Sequence, residues 1–355
     1  MRMSGRYWRR AGIVMIAATA LFAGACGSES SSDSTGAAES TTGQADASAF
    51  PVSIPSALGT AEIPEAPERI VTLGWGSEDA ALALGVVPVG VQNMQSDSGT
   101  DDGLLPWSRA KLEELDPDAE PALLTASSQE MPYEQIAALT PDVILAVHSG
   151  LSQEQFDQLS EIAPTVAYPE RRWATSWEDQ ITTVGKALGR SAEAEALVTR
   201  TEDTIAEAKS QHPEFTGKTV AFGSSTEAAS YNFYFDTDPR LKLLASLGFT
   251  VDPLAQQLRE SSDRTKFAAP VSLELLPTYN PDVLLAWYLT PDLQSEVESN
   301  PLFTGIKAVR DDAYTALTAP PLVYASSTPN VLSMPWLLNE LLPQLSQAAV
   351  NAQVG

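Results

Sequence analysis

Two α/β lobes, each built on a mostly parallel sheet and joined by one long rigid helix with a ligand cleft between them, is the fold this 355-residue sequence predicts. Three observations predict it. A segment is written twice: Glu134–Ala146 (EQIAALTPDVILA) lies without gaps over Glu274–Ala286 (ELLPTYNPDVLLA), 140 residues apart, with six of thirteen positions identical. One spacing of this length is far beyond a solenoid period of roughly 20–50 residues and suits two similar domains. Short apolar runs alternate with helix-like segments on both sides of the chain's middle, the pattern of covered parallel sheets. Between the halves, residues 191–211 contain no Pro or Gly, and Ala194, Leu197, Val198, Ile205 and Ala208 follow helical spacing.

The elements follow in order. Residues 1–25 carry Arg2, Arg6, Arg9 and Arg10, then an uncharged stretch from Ala11 to Ala25. That length suits a signal segment and is short for a membrane span of about 20 residues. The lone cysteine, Cys26, excludes an internal disulfide, and small residues precede it (LFAGAC). This resembles the bacterial lipobox, in which the Cys is lipidated and becomes the mature N-terminus; Ala23 stands where Leu is usual. Arg9-Arg10 raises twin-arginine export, but the flanking residues fit poorly. Residues 26–49 are rich in Ser, Thr, Gly and Ala and bury too little to order themselves, so they read as a flexible tether. The first lobe is expected over 50–190, the connecting helix over 191–212 and the second lobe over 213–355.

In the first lobe, strands are expected at Arg69–Leu73, Val86–Val91, Val143–Val147 and Pro164–Tyr168. Ser77 is expected to cap a helix, with Glu78 and Asp79 in its first turn and Gly85 at its end. In the second, Thr219–Phe222, Asn232–Phe235, Val283–Trp287 and Ala313–Ala316 read as strands, and Asp238–Leu247 and Ser333–Leu345 as helices. A second echo, Arg69–Gly74 over Lys218–Gly223, completes two Rossmann-like lobes. A helical connector of 21 residues spans about 30 Å and predicts fixed separation with modest closure.

Composition excludes several functions. With 46 Asp+Glu against 21 Lys+Arg, nucleic acid is an improbable partner. Removing residues 1–25 takes four Arg and no acid, leaving 17 basic against 46 acidic side chains. Two His and one committed Cys speak against a dedicated transition-metal site. There is no G-x-S-x-G, P-loop or dinucleotide fingerprint, and an enzyme is not expected. An exported hydrolase, as a contrasting class, requires His148 beside a Ser and a carboxylate.

Binding residues are better represented. Aromatics sit just past strand ends, where α/β lobes present ligands: Trp75, His148 with its repeat mate Tyr288, and Trp287 alongside. Arg171, Arg172 and Trp173 put guanidinium beside indole, suited to a flat or anionic ligand. Arg259, Arg264 and Lys266 form a second, looser basic group.

Taken in order, IPEAPERIV (63–71), LGVVPVGV (84–91), the Glu134 segment to Leu145, WEDQ and VGKAL within 177–188, PLF (301–303) and VLSMPW (331–336) resemble the substrate-binding lipoproteins of iron-siderophore ABC importers. The resemblance covers about residues 52–347. It implies two lobes with a backbone helix and a monomer lipid-anchored on the extracytoplasmic face of the cell membrane. It implies a shallow cleft lined by aromatic and Arg residues, onto which Trp75, Arg171, Arg172, Trp173 and Tyr288 map, with Trp107, Tyr231, Tyr234 and Tyr324 as looser candidates. It implies a ferric siderophore as ligand, with iron held by the siderophore and no cofactor or protein metal ligand. Haem or a corrinoid is the alternative. Finally, it implies that Glu134 and Glu274, one per lobe, pair with Arg on the two subunits of a dimeric permease that works with a cytoplasmic ATPase. The Arg pair leans toward an anionic complex.

Overall fold

The computed structural model describes residues 45–99, 101–126, 130–227, 230–263 and 266–352. The expected signal segment, Cys26, most of the expected tether and Arg264 lie outside the described residues. The last residues of that tether do pack: the Asp46 amide donates to the Gly189 carbonyl at 2.9 Å, and Phe50 lies against Gly189. Glycine is needed at 189, where φ is +66° and a Cβ would come within 2.7 Å of the Phe50 ring.

An antiparallel ribbon, β1 (Val52–Pro55) and β2 (Thr60–Ile63), opens the body. The first sheet contains β3 (Ile70–Thr72), β4 (Gly90–Gln92), β5 (Ala122–Leu124), β6 (Val143–Leu145) and β7 (Thr165–Val166), all parallel in the order β5-β4-β3-β6-β7. The expected strand at Val86–Val91 begins only at Gly90, because Pro88 has no N–H to give a ladder. The second sheet contains β8 (Thr219–Glu227), β9 (Ser230–Tyr234), β10 (Thr250–Val251), β11 (Ala268–Val271), β12 (Val283–Tyr288) and β13 (Tyr314–Leu317). Its order is β11-β9-β8-β12-β13, with β10 also on β8. β8, β10, β12 and β13 are parallel, while β9 and β11 add an antiparallel edge. The expected connector is a helix over Ser191–Gln211 that buries Ala194, Thr201, Ile205 and Ala208.

The duplicated segment has a physical reason. Asp142 accepts hydrogen bonds from the Glu68 and Arg69 amides, both at 2.8 Å, and Asp282 accepts one from the Thr219 amide at 2.9 Å. In each lobe the Pro-Asp carboxylate thus ties the start of one central strand to its neighbour. Ile136 and Leu276, at matching places, are fully buried. The second echo is out of register by one residue. Ile70 pairs with Val143 and Val220 with Val283, so Ile70 corresponds to Val220 rather than Thr219.

The lobes share a seam at the helix after β3, Ser77–Ala83. Its N-cap is Gly76, in left-handed conformation at φ +75°, not Ser77. Ser77 is already inside the helix and buried, with its Oγ accepting from the Val147 amide at 3.3 Å. Glu78 and Asp79 are buried too, not solvated first-turn acids. Asp79 accepts from Trp107 Nε1 at 2.8 Å, from Ser108 Oγ, and from Asn330 Nδ2 at 2.7 Å, so one carboxylate links residues 251 positions apart. Around it pack, with tilted rings, Trp75 and Tyr324 (5.0 Å between centroids), Tyr324 and Trp107 (6.2 Å), and Trp107 and Trp336 (5.1 Å).

Among the described residues neither Glu78 oxygen has a well-formed hydrogen bond, the Glu78 and Gly76 backbone offering only weak support. Burial, and then the neighbouring Asp79 charge, push its pKa well above the ordinary 4.5. A carboxyl whose pKa is raised on folding costs stability as pH climbs from the unfolded value toward the folded one. Glu78→Gln is therefore expected to raise the melting temperature more at pH 8 than at pH 5, as measured by calorimetry; equal shifts at both pH values would contradict the assignment.

Candidate functional site

The carboxyl ends of β3, β6, β8 and β12 face one inter-lobe cleft of about 540 Å³. The first lobe supplies Trp75, His148 and Trp173. The Trp75 amide donates to the His148 carbonyl at 2.9 Å, which requires close approach at Gly74, where φ is +76° and a Cβ would sit 2.6 Å from that carbonyl. Trp75 O accepts from Gln180 Nε2 at 2.7 Å. Trp173 holds the left-handed region at φ +56°, uncommon for a bulky residue and a mark of a position fixed by its surroundings. Its amide donates to Ser149 O at 3.2 Å, and its indole lies on Gly150, where a Cβ would be 2.5 Å from Nε1. Its ring is 5.2 Å from Trp75 and 5.7 Å from His148.

The second lobe supplies Tyr234, Arg240, Lys266, Phe267 and Trp287. Trp287 Nε1 donates to Tyr234 Oη at 2.9 Å, and Phe267 stacks on Tyr234 at 6.2 Å. The Arg240 guanidinium sits 4.0 Å over the Tyr234 ring. Its Nη1 donates to both Asp238 oxygens at 3.0 Å, while among the described residues its Nε is buried without a partner. Burial works against the guanidinium charge, but the Asp238 carboxylate and Tyr234 raise its pKa overall. Arg240 was not a sequence candidate. Its signal, Asp238-Pro-Arg240, reads as an ordinary helix start: Asp238 is indeed the N-cap of the Pro239–Ser246 helix.

Six of the sequence candidates, Trp75, His148, Trp173, Tyr234, Lys266 and Trp287, line this cleft together. Arg171 and Arg172 are exposed and border a small neighbouring recess with Trp173, Asp238, Lys266 and Phe267. The other candidates are placed elsewhere. Tyr288 follows Trp287 and, by strand alternation, points to the opposite face, where its hydroxyl receives a hydrogen bond from Tyr314 at 2.7 Å. Tyr231 is fully buried between Phe233 and Phe303, while Asn232 and Tyr234 on the other face of β9 reach the cleft. Trp107 is buried at the seam, committed to Asp79, and Tyr324 is buried beneath Trp75. Arg259 is paired with Asp236 at 2.6 Å. Glu134 and Glu274 are exposed, each in the first turn of a short helical segment, Tyr133–Ala138 and Leu273–Thr278.

The cleft is ill-suited to hydrolysis. His148 Nδ1 lies 3.1 Å from the Thr175 carbonyl, not from a carboxylate, so this nitrogen carries the proton. Burial, with Arg240 opposing the charge, pushes its pKa down to about 4. Among the described residues no group of three His, Cys, Asp or Glu side chains is gathered to hold a metal. The His148 imidazole is expected to titrate near pH 4 in a ¹³C/¹⁵N NMR titration; a midpoint near 6.5 would show that it is solvated.

Residues 70–319 match the family described as periplasmic binding protein. PiaA of Streptococcus pneumoniae, an iron uptake ABC transporter substrate-binding protein solved in complex with ferrichrome, is 32% identical with a TM-score of 0.76, over 84% of this chain and 99% of that one. A periplasmic solute binding protein of Mycobacterium smegmatis is 28% identical with a TM-score of 0.70, over 84% and 98%. The Fe(3+) dicitrate-binding periplasmic protein FecB of Escherichia coli is 28% identical over 267 residues, 74% of this chain and 80% of its own. With two α/β lobes, a backbone helix and an aromatic cleft between them, this chain belongs to the periplasmic binding protein family and is a solute-binding protein rather than an enzyme.

Proposed function

We propose that this protein captures a ferric siderophore outside the cytoplasm and delivers it to the dimeric permease of an ABC importer. One observation carries the reading: Trp75, Trp173, Tyr234 and Trp287 wall a cleft in which Arg240 Nε is buried and unpaired. A bare ferric ion needs several oxygen or imidazole ligands converging on one point. Here the aromatic faces and one unpaired N–H suit an iron already wrapped in an organic chelate, which offers flat apolar surface and acceptor oxygens. The ferrichrome complex of PiaA and the ferric dicitrate specificity in the name of FecB support the same class.

Delivery rests on Glu134 and Glu274. They lie in the duplicated segment, one per lobe, and both are exposed. Two like charges at equivalent places suit a partner with two equivalent basic sites. Residues 1–25 and Cys26 would export the chain and anchor it by lipid to the outer face of the membrane.

Tryptophan quenching on titration tests capture. Saturable quenching by ferrichrome, ferric citrate or another ferric siderophore at sub-micromolar concentration is expected. Silence with all of these, and binding of haem or cobalamin instead, would overturn the reading. Glu134→Ala with Glu274→Ala is expected to leave ligand affinity within about twofold, as surface substitutions usually do, and to abolish uptake of radiolabelled iron. Unchanged uptake would remove the docking role.

A further inference from the structure

A side compartment of the cleft has no role in the reading so far. It occupies about 290 Å³ in the first lobe, and Trp75 and Trp173 form the wall it shares with the inter-lobe space. At ~30 Å³ per water-sized atom it has room for about ten. Among the described residues its lining, which includes Leu73, Gln92, Met131, Ser149 and Gln155, contains no ionisable side chain. Ser149 is 2% exposed, and among the described residues its Oγ has no hydrogen-bond partner. A buried hydroxyl in this state is unusual in a folded protein, and a ligand oxygen placed against it would satisfy it.

We propose that this compartment receives a neutral, amide-bearing arm of the ligand, and that Ser149 selects the arm by donating its Oγ–H to the arm's carbonyl oxygen. The inference rests on the ferric-chelate reading of the cleft: the chelate head lies beside Arg240, and the arm crosses the Trp75–Trp173 boundary. A charged arm would lose its hydration with no counter-ion in the lining. A purely hydrocarbon arm would leave the Ser149 hydroxyl unpaired. An amide matches both the apolar walls and the Ser149 hydroxyl. Ser149 is then a specificity-determining residue, acting on what the siderophore carries besides its iron-binding groups.

The test compares two ferric hydroxamates with the same iron coordination. Ferrioxamine B acetylated at its terminal amine carries a neutral arm ending in an amide; tris(acetohydroxamato)iron(III) has no amide arm. Dissociation constants for both are measured by fluorescence on the wild-type protein and on variants. Ser149→Ala is expected to lower the affinity ratio of acetylated ferrioxamine B to the acetohydroxamate complex about fivefold, the scale of one neutral hydrogen bond. Ser149→Leu, which fills the compartment, is expected to lower it further. Met131→Trp, filling the compartment from another part of its lining, gives the same reading if Ser149→Leu melts early. A ratio unchanged in Ser149→Ala and in either filling variant overturns the arm assignment while leaving the capture of ferric chelates intact. A wild-type protein that binds neither complex but binds haem overturns both.

Discussion

The arrangement of the lobes depends on one buried carboxylate. Asp79 accepts hydrogen bonds from Trp107, Ser108 and Asn330, the first two adjacent in one helix and the third 251 residues away. Hydrogen bonds to a charged group contribute roughly 1.5–3 kcal/mol each, and removing the acceptor would strand three buried donors. The rings of Trp75, Tyr324, Trp107 and Trp336 close around this point. The floor of the cleft is therefore the same structure that fixes the lobes against each other. The connecting helix sets their spacing along one edge; the Asp79 cluster sets it at the centre. Wide opening would have to break both.

The charge of the cleft differs from that of the chain. The sequence holds 46 acidic against 21 basic residues, so long-range steering cannot favour an anionic ligand. Inside, Arg240 is balanced by Asp238, and His148, with its pKa near 4, is neutral at physiological pH. What remains is the exposed Lys266 ammonium at the margin and, among the described residues, a buried Arg240 Nε without a partner. Arg171 and Arg172, which in the sequence suggest an anionic ligand, stand at the recess beside this space. Recognition is set by contact once the ligand has arrived.

The large features were legible because they are local or repeated. The connecting helix announces itself by 21 residues without a breaker, and the duplication by shared Glu and Pro-Asp. What was illegible depends on side of strand and on distant partners. A buried strand is apolar on both faces, so nothing in YNFYF or LLAWY says that Tyr234 and Trp287 face the ligand space while Tyr231 and Tyr288 do not. Asp79 looked like a solvated acid at a helix start, since Trp107 and Asn330 are 28 and 251 residues away. Arg240 was hidden for the same reason: beside an N-cap Asp and a Pro, its identity as a helix residue concealed its place under the ligand space.

The aromatic contacts described above are continuous. His148, Trp173, Trp75, Tyr324, Trp107 and Trp336 form an unbroken file in which each centroid is between 5.0 and 6.2 Å from the next. The file begins in the cleft and ends beyond the lobe seam. Excited-state energy passes readily between indoles this close, so a coloured iron chelate at one end would drain fluorescence from tryptophans it never touches. Total emission then behaves as a single detector of occupancy, and Trp336, outside the cleft, would report on a ligand at Trp173.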